Sequence, residues 1–354
     1  MLIITVVNLG STAVLGAVLY LLPHALLNAA TVPFGVRVPP DQTNAPEIVT
    51  QRRRYAHRLI TAAAVITPLA VISGAILRTA VSGAVGAILL TATAAVLWAR
   101  ANRTINHTKQ HHGWYEHSRQ GIAADTSLRT DPVRFPWPWA IPSLVIIAGT
   151  TGAGIIGYPH LPPALTWPVA LGPVIAQVLA TTLAAATTAL VLRARADIDV
   201  TRPRDGAARY RRYLTAIARA VMVSTALIDL MLLGLAAVLW TGNRSPWLFA
   251  LATVPPVLGS LAVWAHLLVR VGPAGTRLPT TVTDEPPTGL LRRDDDRFWR
   301  AAGTIYLNPD DPAAVVPSRT GTGWTLNAGN PRVLLAAAVV LALAAAITTV
   351  ITVS

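Results

Sequence analysis

Eight apolar runs set the terms for this chain: residues 2–22, 59–77, 81–98, 140–157, 165–192, 216–240, 247–269 and 333–353. Each approaches the ~20 residues an α-helix needs to cross a hydrocarbon core. A continuous run in lipid must satisfy its own backbone, and a helix does so within one segment. The fifth run is long enough to tilt or to extend past the bilayer. Of 354 residues, 53% are hydrophobic and 13% charged, far more apolar than a soluble domain. The fold expected is an all-α integral membrane protein with eight transmembrane helices.

Charge orients the helices. The connections after helices one, three, five and seven hold 27 of the 29 basic residues, and only Arg78 and Arg244 fall in the others. Cytoplasmic loops carry the excess of arginine and lysine, so the odd-numbered connections are expected inside and both termini outside. The net charge of +13 is read as this topological bias, not as a nucleic-acid footprint. Trp98, Trp137, Trp139, Trp167, Trp240 and Trp247 fall at span ends, where amphipathic rings sit among headgroups. Met1 is followed by Leu-Ile-Ile with no basic region, so the first helix is read as retained. Small residues such as Ser73-Gly74-Ala75 and Ser82-Gly83-Ala84-Val85-Gly86 predict close helix packing.

The expected organisation is a seven-helix membrane domain over 1–270, a cytoplasmic loop over 271–332 with a small module at about 294–331, and an eighth helix over 333–354. An Arg-Tyr cluster precedes both helix two (Arg52-Arg53-Arg54-Tyr55) and helix six (Arg209-Tyr210-Arg211-Arg212-Tyr213). Internal duplication would leave that pattern, and so would arginine placement at cytoplasmic helix ends.

Candidate chemistry is sparse. Zero cysteines exclude disulfides, thiolate nucleophiles and iron–sulfur clusters. No Walker loop, HExxH or GxSxG is present, so no enzyme activity, catalytic residue or cofactor is assigned. Asp229, deep in the sixth run, is the intramembrane polar candidate, because a carboxylate there is costly unless paired, protonated or facing water. Its candidate partners are His266, Gln177, Ser224 and Thr225. Read otherwise, it is a buried carboxyl joining helices by hydrogen bonds. His107, His111, His112 and His117 have a spacing that suits zinc or nickel, but a solvated helix end fits the same residues, and no metal is assigned.

The last connection is dense in polar signals. Asp294-Asp295-Asp296 fits a solvated N-terminal turn ahead of a helix through Arg297-Phe298-Trp299-Arg300. Short strands are expected at 304–307, 313–316 and 324–327, with Asn308-Pro309-Asp310-Asp311-Pro312 as a fold-defining turn. Asn330-Pro331 supplies a cap and a first-turn proline for helix eight. The result is a helix-plus-β-meander module, with Trp299, Tyr306, Asn308, Asp310, Asp311, Trp324 and Asn327 as its marked residues, too small to fold without leaning on the helices.

Trp299, Ile305-Tyr306, Asn308 to Pro312, Val316-Pro317, Arg319 and Gly321 to Asn327 resemble a short bacterial domain of unknown function, the 5808 type, over roughly 296–331. Tyr158-Pro159-His160-Leu161-Pro162-Pro163, followed by Trp167 and Gly172, is similar to a degenerate form of a second such domain, the 1648 type, shared with SdpI-type immunity proteins. Trp167 stands where that family tends to carry a histidine. The resemblance implies a multi-pass protein of the bacterial inner membrane that responds to a membrane-active peptide or envelope stress. Its partners would be the lipid bilayer and a cytoplasmic regulator or membrane partner, with no nucleic acid. The alternatives are a secondary or proton-coupled carrier using Asp229, and a non-catalytic assembly factor.

Overall fold

The computed structural model describes residues 2–24, 27–123, 127–158, 166–196, 198–243, 245–321, 323–339 and 342. Among them are seven helices long and apolar enough to cross a membrane. Packing divides the chain into two compact units. The first comprises Met1–Ala124, Arg195–Pro203 and Asp284–Ser354; the second comprises Asp125–Ala194 and Arg204–Thr283. This grouping cuts across the linear division 1–270, 271–332 and 333–354.

In the first unit, α1 (Leu2–Leu21), α2 (Pro46–Leu77) and α3 (Val81–His111) pack pairwise. Both α2 and α3 run well past their apolar runs into polar sequence, since Arg, Gln and Glu propagate a helix that the apolar segment has already nucleated. Asn8 of α1 is fully buried and knits the α2–α3 turn. Its amide nitrogen donates to the Thr79 carbonyl at 3.1 Å, and its oxygen accepts from the Gly83 N–H at 3.0 Å. Glycines permit this approach: a Cβ on Gly74 would lie 1.9 Å from the Asn8 amide, and one on Gly86 2.9 Å from Ala70. The close packing predicted from small residues is therefore observed. At the other end of the helices Phe34, Ile48, Tyr55, Leu90, Trp98 and Ile105 form the core.

The C-terminal segment folds onto this three-helix group. Strand β1 (Gln120–Gly121) pairs in parallel with β2 (Leu291–Arg292), and β3 (Trp299–Arg300) pairs antiparallel with β4 (Ile305–Tyr306). A hairpin of β5 (Val315–Pro317) and β6 (Trp324–Leu326) joins them through a single bridge, Tyr306 to Asn327. The expected three-stranded meander is thus replaced by two short ladders. The cause is that both edges of β4 are taken, one by β3 and the other by Asn327 and Ala328 at the end of β6, which leaves none for β5. The expected helix at Arg297–Arg300 is a single 3-10 turn, Asp296–Phe298, after which Trp299 enters β3. Trp299, Tyr306 and Val316 form the module's own small core.

In the second unit lie α4 (Ser127–Thr130), α5 (Trp137–Gly157), α6 (Trp167–Ala170), α7 (Gly172–Leu192), α8 (Pro203–Thr241) and α9 (Pro246–Arg270). The run at 165–192 is therefore not one helix. A break at Leu171 separates α6 from α7, with Pro173 in the first turn of α7, where its missing N–H costs nothing. Helices α8 and α9 approach closely at small residues: a Cβ on Gly234 would lie 2.8 Å from that of Ala252. Trp240 donates to the Ala170 carbonyl at 3.0 Å. Residues 159–165, which include most of the tyrosine-proline loop, lie outside the described residues. A helix begins at Pro331 and is described to residue 339, capped by Asn330 Oδ1 accepting from the Arg332 N–H at 2.9 Å. Apart from residue 342, the rest of the eighth run lies outside the described residues.

Candidate functional site

A tight turn recurs in the two units. Pro33-Phe34-Gly35-Val36-Arg37-Val38-Pro39 and Pro273-Ala274-Gly275-Thr276-Arg277-Leu278-Pro279 share the pattern Pro-x-Gly-x-Arg-x-Pro. Phe34 (φ 49°, ψ 34°) and Ala274 (φ 51°, ψ 23°) are both left-handed, and the glycines that follow have φ 77° and 80°. Non-glycine residues take this region rarely and persist there only when their surroundings hold them. Each turn packs on an Arg-Tyr cluster: Phe34 meets Tyr55 edge-on at 5.5 Å, and a Cβ on Gly275 would lie 3.2 Å from that of Tyr213. This shared turn adds a second signature to the two Arg-Tyr clusters.

In the first unit the turn becomes a docking point. Ala301–Gly303 forms the same kind of bend, with Ala302 at φ 57° and Gly303 at φ 84°, and the two bends lie back to back. A Cβ on Gly35 would sit 2.7 Å from the Ala302 carbonyl, and one on Gly303 2.8 Å from Gly35 Cα, so only glycine fits at either position. Helix α3 reads both bends from one face. Trp98 Nε1 donates to the Ala302 carbonyl at 3.0 Å, and Asn102 Nδ2 to the Phe34 carbonyl at 2.8 Å.

An ion cluster seals this junction. Arg37 Nε lies 2.8 Å from Asp295 Oδ1, and Lys109 Nζ lies 2.7 Å from Asp294 Oδ2 and 2.6 Å from Asp296 Oδ2. Arg319, only 2% exposed, pairs with both Asp295 and Asp296, donates to the Gly35 carbonyl at 2.9 Å and stacks over Trp299 at 4.8 Å. The Asp296 carboxylate also accepts the Arg37 backbone N–H at 3.1 Å. Burial alone would push the Asp295 carboxyl up, but Arg37 and Arg319 outweigh it and hold it well below the usual carboxylate range. Tyr115, packed under Lys109, is raised mainly by burial. The three aspartates are therefore not a solvated helix start. Three side chains in succession point different ways, and here each direction meets a cation. Arg319 belongs to the 5808-type motif, Arg37 to the Pro-x-Gly-x-Arg-x-Pro turn, and Lys109 is the sole lysine of the chain, yet none of these local patterns says which acid each one meets.

The marked module residues organise the turn beside this cluster. Buried Asn327 donates to the carbonyls of Asn308, Asp311 and Ala313 at 2.8, 3.1 and 3.2 Å, and accepts from the Asn308 and Gly329 N–H groups at 3.0 Å each. Asn308 Oδ1 accepts from the Asp310 N–H at 3.1 Å, while the Asp310 side chain is exposed. Tyr306 donates its hydroxyl to Asp311 at 2.9 Å, and Arg195 pairs with Asp311 and lies 5.4 Å over the Tyr306 ring. Trp324 faces Pro317 across the hairpin. This is the hydrogen-bonding of a rigid turn, with side chains replacing backbone partners that proline removes.

In the second unit, Asp229 is fully buried in α8. Its Oδ2 accepts from the Thr181 hydroxyl at 2.9 Å, and Ser143 lies within hydrogen-bonding reach of the carboxyl. Gln177 donates to the Asp229 backbone carbonyl at 2.8 Å and to the Thr150 hydroxyl at 3.0 Å. Gln177 thus joins Asp229 as expected. His266 does not: it sits exposed on α9. Thr225 bonds its own helix at Val221, and Ser224 Oγ meets no partner among the described residues. The structure adds Thr181 and Ser143, which reach the carboxyl, and Thr150, which accepts from Gln177; only the packing brings these ordinary helix residues together.

His107, His111, His112 and His117 are all exposed, with His107 and His111 stacked at 6.3 Å. Among the described residues no three His, Cys, Asp or Glu side chains gather to hold a metal ion.

Residues 309–334 match a family of unknown function, DUF5808. The matched segment holds Asp311, Arg319 and Asn327, whereas the aspartate triad, Arg37 and Lys109 lie outside it. No curated protein and no solved structure matches the chain.

Proposed function

We propose that this is a multi-pass protein of the bacterial inner membrane that senses a membrane-active peptide or envelope stress and signals to a cytoplasmic partner through its C-terminal module. In this reading the chain crosses the membrane eight times, both termini are extracytoplasmic, and the module lies on the cytoplasmic face with most of the arginines. The observation that carries it is the ion cluster of Asp294, Asp295 and Asp296 with Arg37, Lys109 and Arg319. It ties a compact polar module to three apolar helices through groups whose pairing changes if those helices move. Resemblance to SdpI-type immunity proteins supports the same reading. Deleting the gene is expected to change sensitivity to membrane-active peptides or transcription of neighbouring genes, and no change in either would overturn it. Reporter fusions at Asp125 and Pro162 test the topology, with opposite sides expected.

A second reading, a proton-coupled carrier, is favoured by the burial of Asp229 among uncharged partners. It predicts substrate flux in proteoliposomes that collapses in Asp229→Asn. An assembly factor would instead co-purify with a stable membrane partner and show no flux.

A further inference from the structure

The polar residues buried in the second unit form a pattern that extends beyond Asp229 itself. Ser143 and Thr150 of α5, Gln177 and Thr188 of α7, and Ser224, Thr225 and Asp229 of α8 are all under a tenth exposed. Four of their oxygens have no hydrogen-bond partner among the described residues: Asp229 Oδ1, Gln177 Oε1, Thr188 Oγ1 and Ser224 Oγ. Asp229 Oδ1 and Gln177 Oε1 are acceptors only. They are anchored in one cluster, because the Gln177 amide nitrogen is hydrogen-bonded to the Asp229 backbone.

Beyond the hydroxyls of Ser143 and Thr181, these two acceptors meet no donor among the described residues, which calls for a proton or a cation. Among the described residues the side chains that meet Asp229 are Ser143 of α5 and Gln177 and Thr181 of α7, none of them titratable, while on α9 His266 is exposed. A carboxylate buried with hydroxyl donors and no cation is neutralised rather than kept ionised. We propose that Asp229 is a proton-binding site: a neutral carboxylic acid whose own O–H supplies the missing donor. The remaining two orphan hydroxyls mark its route of exchange. Helices α7 and α8 are consecutive and antiparallel, and Thr188 lies beyond Thr181 while Ser224 precedes Asp229. Both therefore sit ~8–10 Å from the carboxyl, toward the ends that the α7–α8 connection joins. Arg193 follows α7 and Arg204 stands in the first turn of α8, so the proton is exchanged with the arginine-rich side.

The inference deepens the carrier reading by assigning its proton and the side of exchange, and a sensor accommodates it too; because the carboxyl band is read without any flux, failure of the site and failure of carriage are distinguishable. The test is infrared spectroscopy of the full chain in lipid nanodiscs at neutral pH. A protonated carboxyl C=O band is expected, shifted when the wild-type protein carries heavy-carbon aspartate and absent in Asp229→Asn. The isotope shift is read on the wild-type protein and stands even if the variant fails to fold. Absence of the shifted band, with or without sodium, or its persistence in folded Asp229→Asn, overturns the site. Thr188→Val with Ser224→Ala is expected to keep the band and slow its deuterium exchange several-fold. An unchanged exchange rate overturns the route.

Discussion

The Pro33–Pro39 and Pro273–Pro279 turns have the same backbone and different holders, and the contrast shows how one local motif serves two purposes. In the second unit the acid that fixes the chain after the turn is Asp205, which opens α8. Its Oδ1 accepts from the Thr281 and Val282 N–H groups at 2.8 and 3.3 Å, and its Oδ2 lies 2.8 Å from Arg209. In the first unit the acids are Asp295 and Asp296, supplied by the C-terminal module. The first arrangement holds a loop to a helix of its own unit. The second makes the same turn a receptor for a separable piece of chain.

The comparison is broken most directly at its arginines. Arg37→Met leaves Asp295 short of a buried partner and is expected to cost about 3–5 kcal/mol, whereas Arg277→Met removes an exposed side chain and should cost less than ~1 kcal/mol. Thermal unfolding in detergent, with tryptic cleavage at Arg292 and Arg293 as a report on module release, measures both; equal costs would sink the contrast. Glycine substitutions come next. Gly35→Ala or Gly303→Ala drives a methyl into facing backbone and is expected to cost about 2–3 kcal/mol, against about 1–2 kcal/mol for Gly275→Ala, whose nearest atom, the Arg209 carbonyl, is 3.1 Å away. Asp205→Asn keeps an acceptor for the two N–H groups but loses the charge facing Arg209, a change of about 1–2 kcal/mol in the same assay.

The smallest effect is that of pH within the ordinary range. Asp295 is held well below the usual carboxylate range, so the folded state binds fewer protons there than the unfolded one. Its stabilisation is complete above the unfolded value near ~4 and is lost only as pH falls through the lower folded value. Protection of residues 294–330 against hydrogen exchange, taken relative to the intrinsic amide rate at each pH, should therefore be flat from mildly acidic to mildly basic pH, with release confined to strong acid. Release near neutrality would show that the cluster is not what docks the module.

Much of this was legible because it is local. Apolar run length places the seven described spans, Asn330-Pro331 starts a helix as a cap and a first-turn proline should, and Asn308–Pro312 behaves as its prolines require. The ion cluster was not legible, because Arg37, Lys109 and the aspartates are far apart in the chain and nothing local distinguishes a paired arginine from a topological one. His266 shows the same limit in the second unit. Position along α9 allowed it to face Asp229, and only the helix's rotation decides that it does not. One further signal is present in the sequence: Pro-x-Gly-x-Arg-x-Pro occurs in both units, and its repetition beside two Arg-Tyr clusters points to the turn that seats the module.

Trp98 and Asn102 stand one helical turn apart on α3 and grip the carbonyls of two bends that belong to distant parts of the chain. They act as a two-pin plug. A slide of α3 along its axis shears both pins at once, and a rotation swings both away together, because ~3.6 residues separate successive positions on the same face. The junction is therefore engaged or disengaged as a whole, and the helix that carries the pins is also the one that carries Lys109.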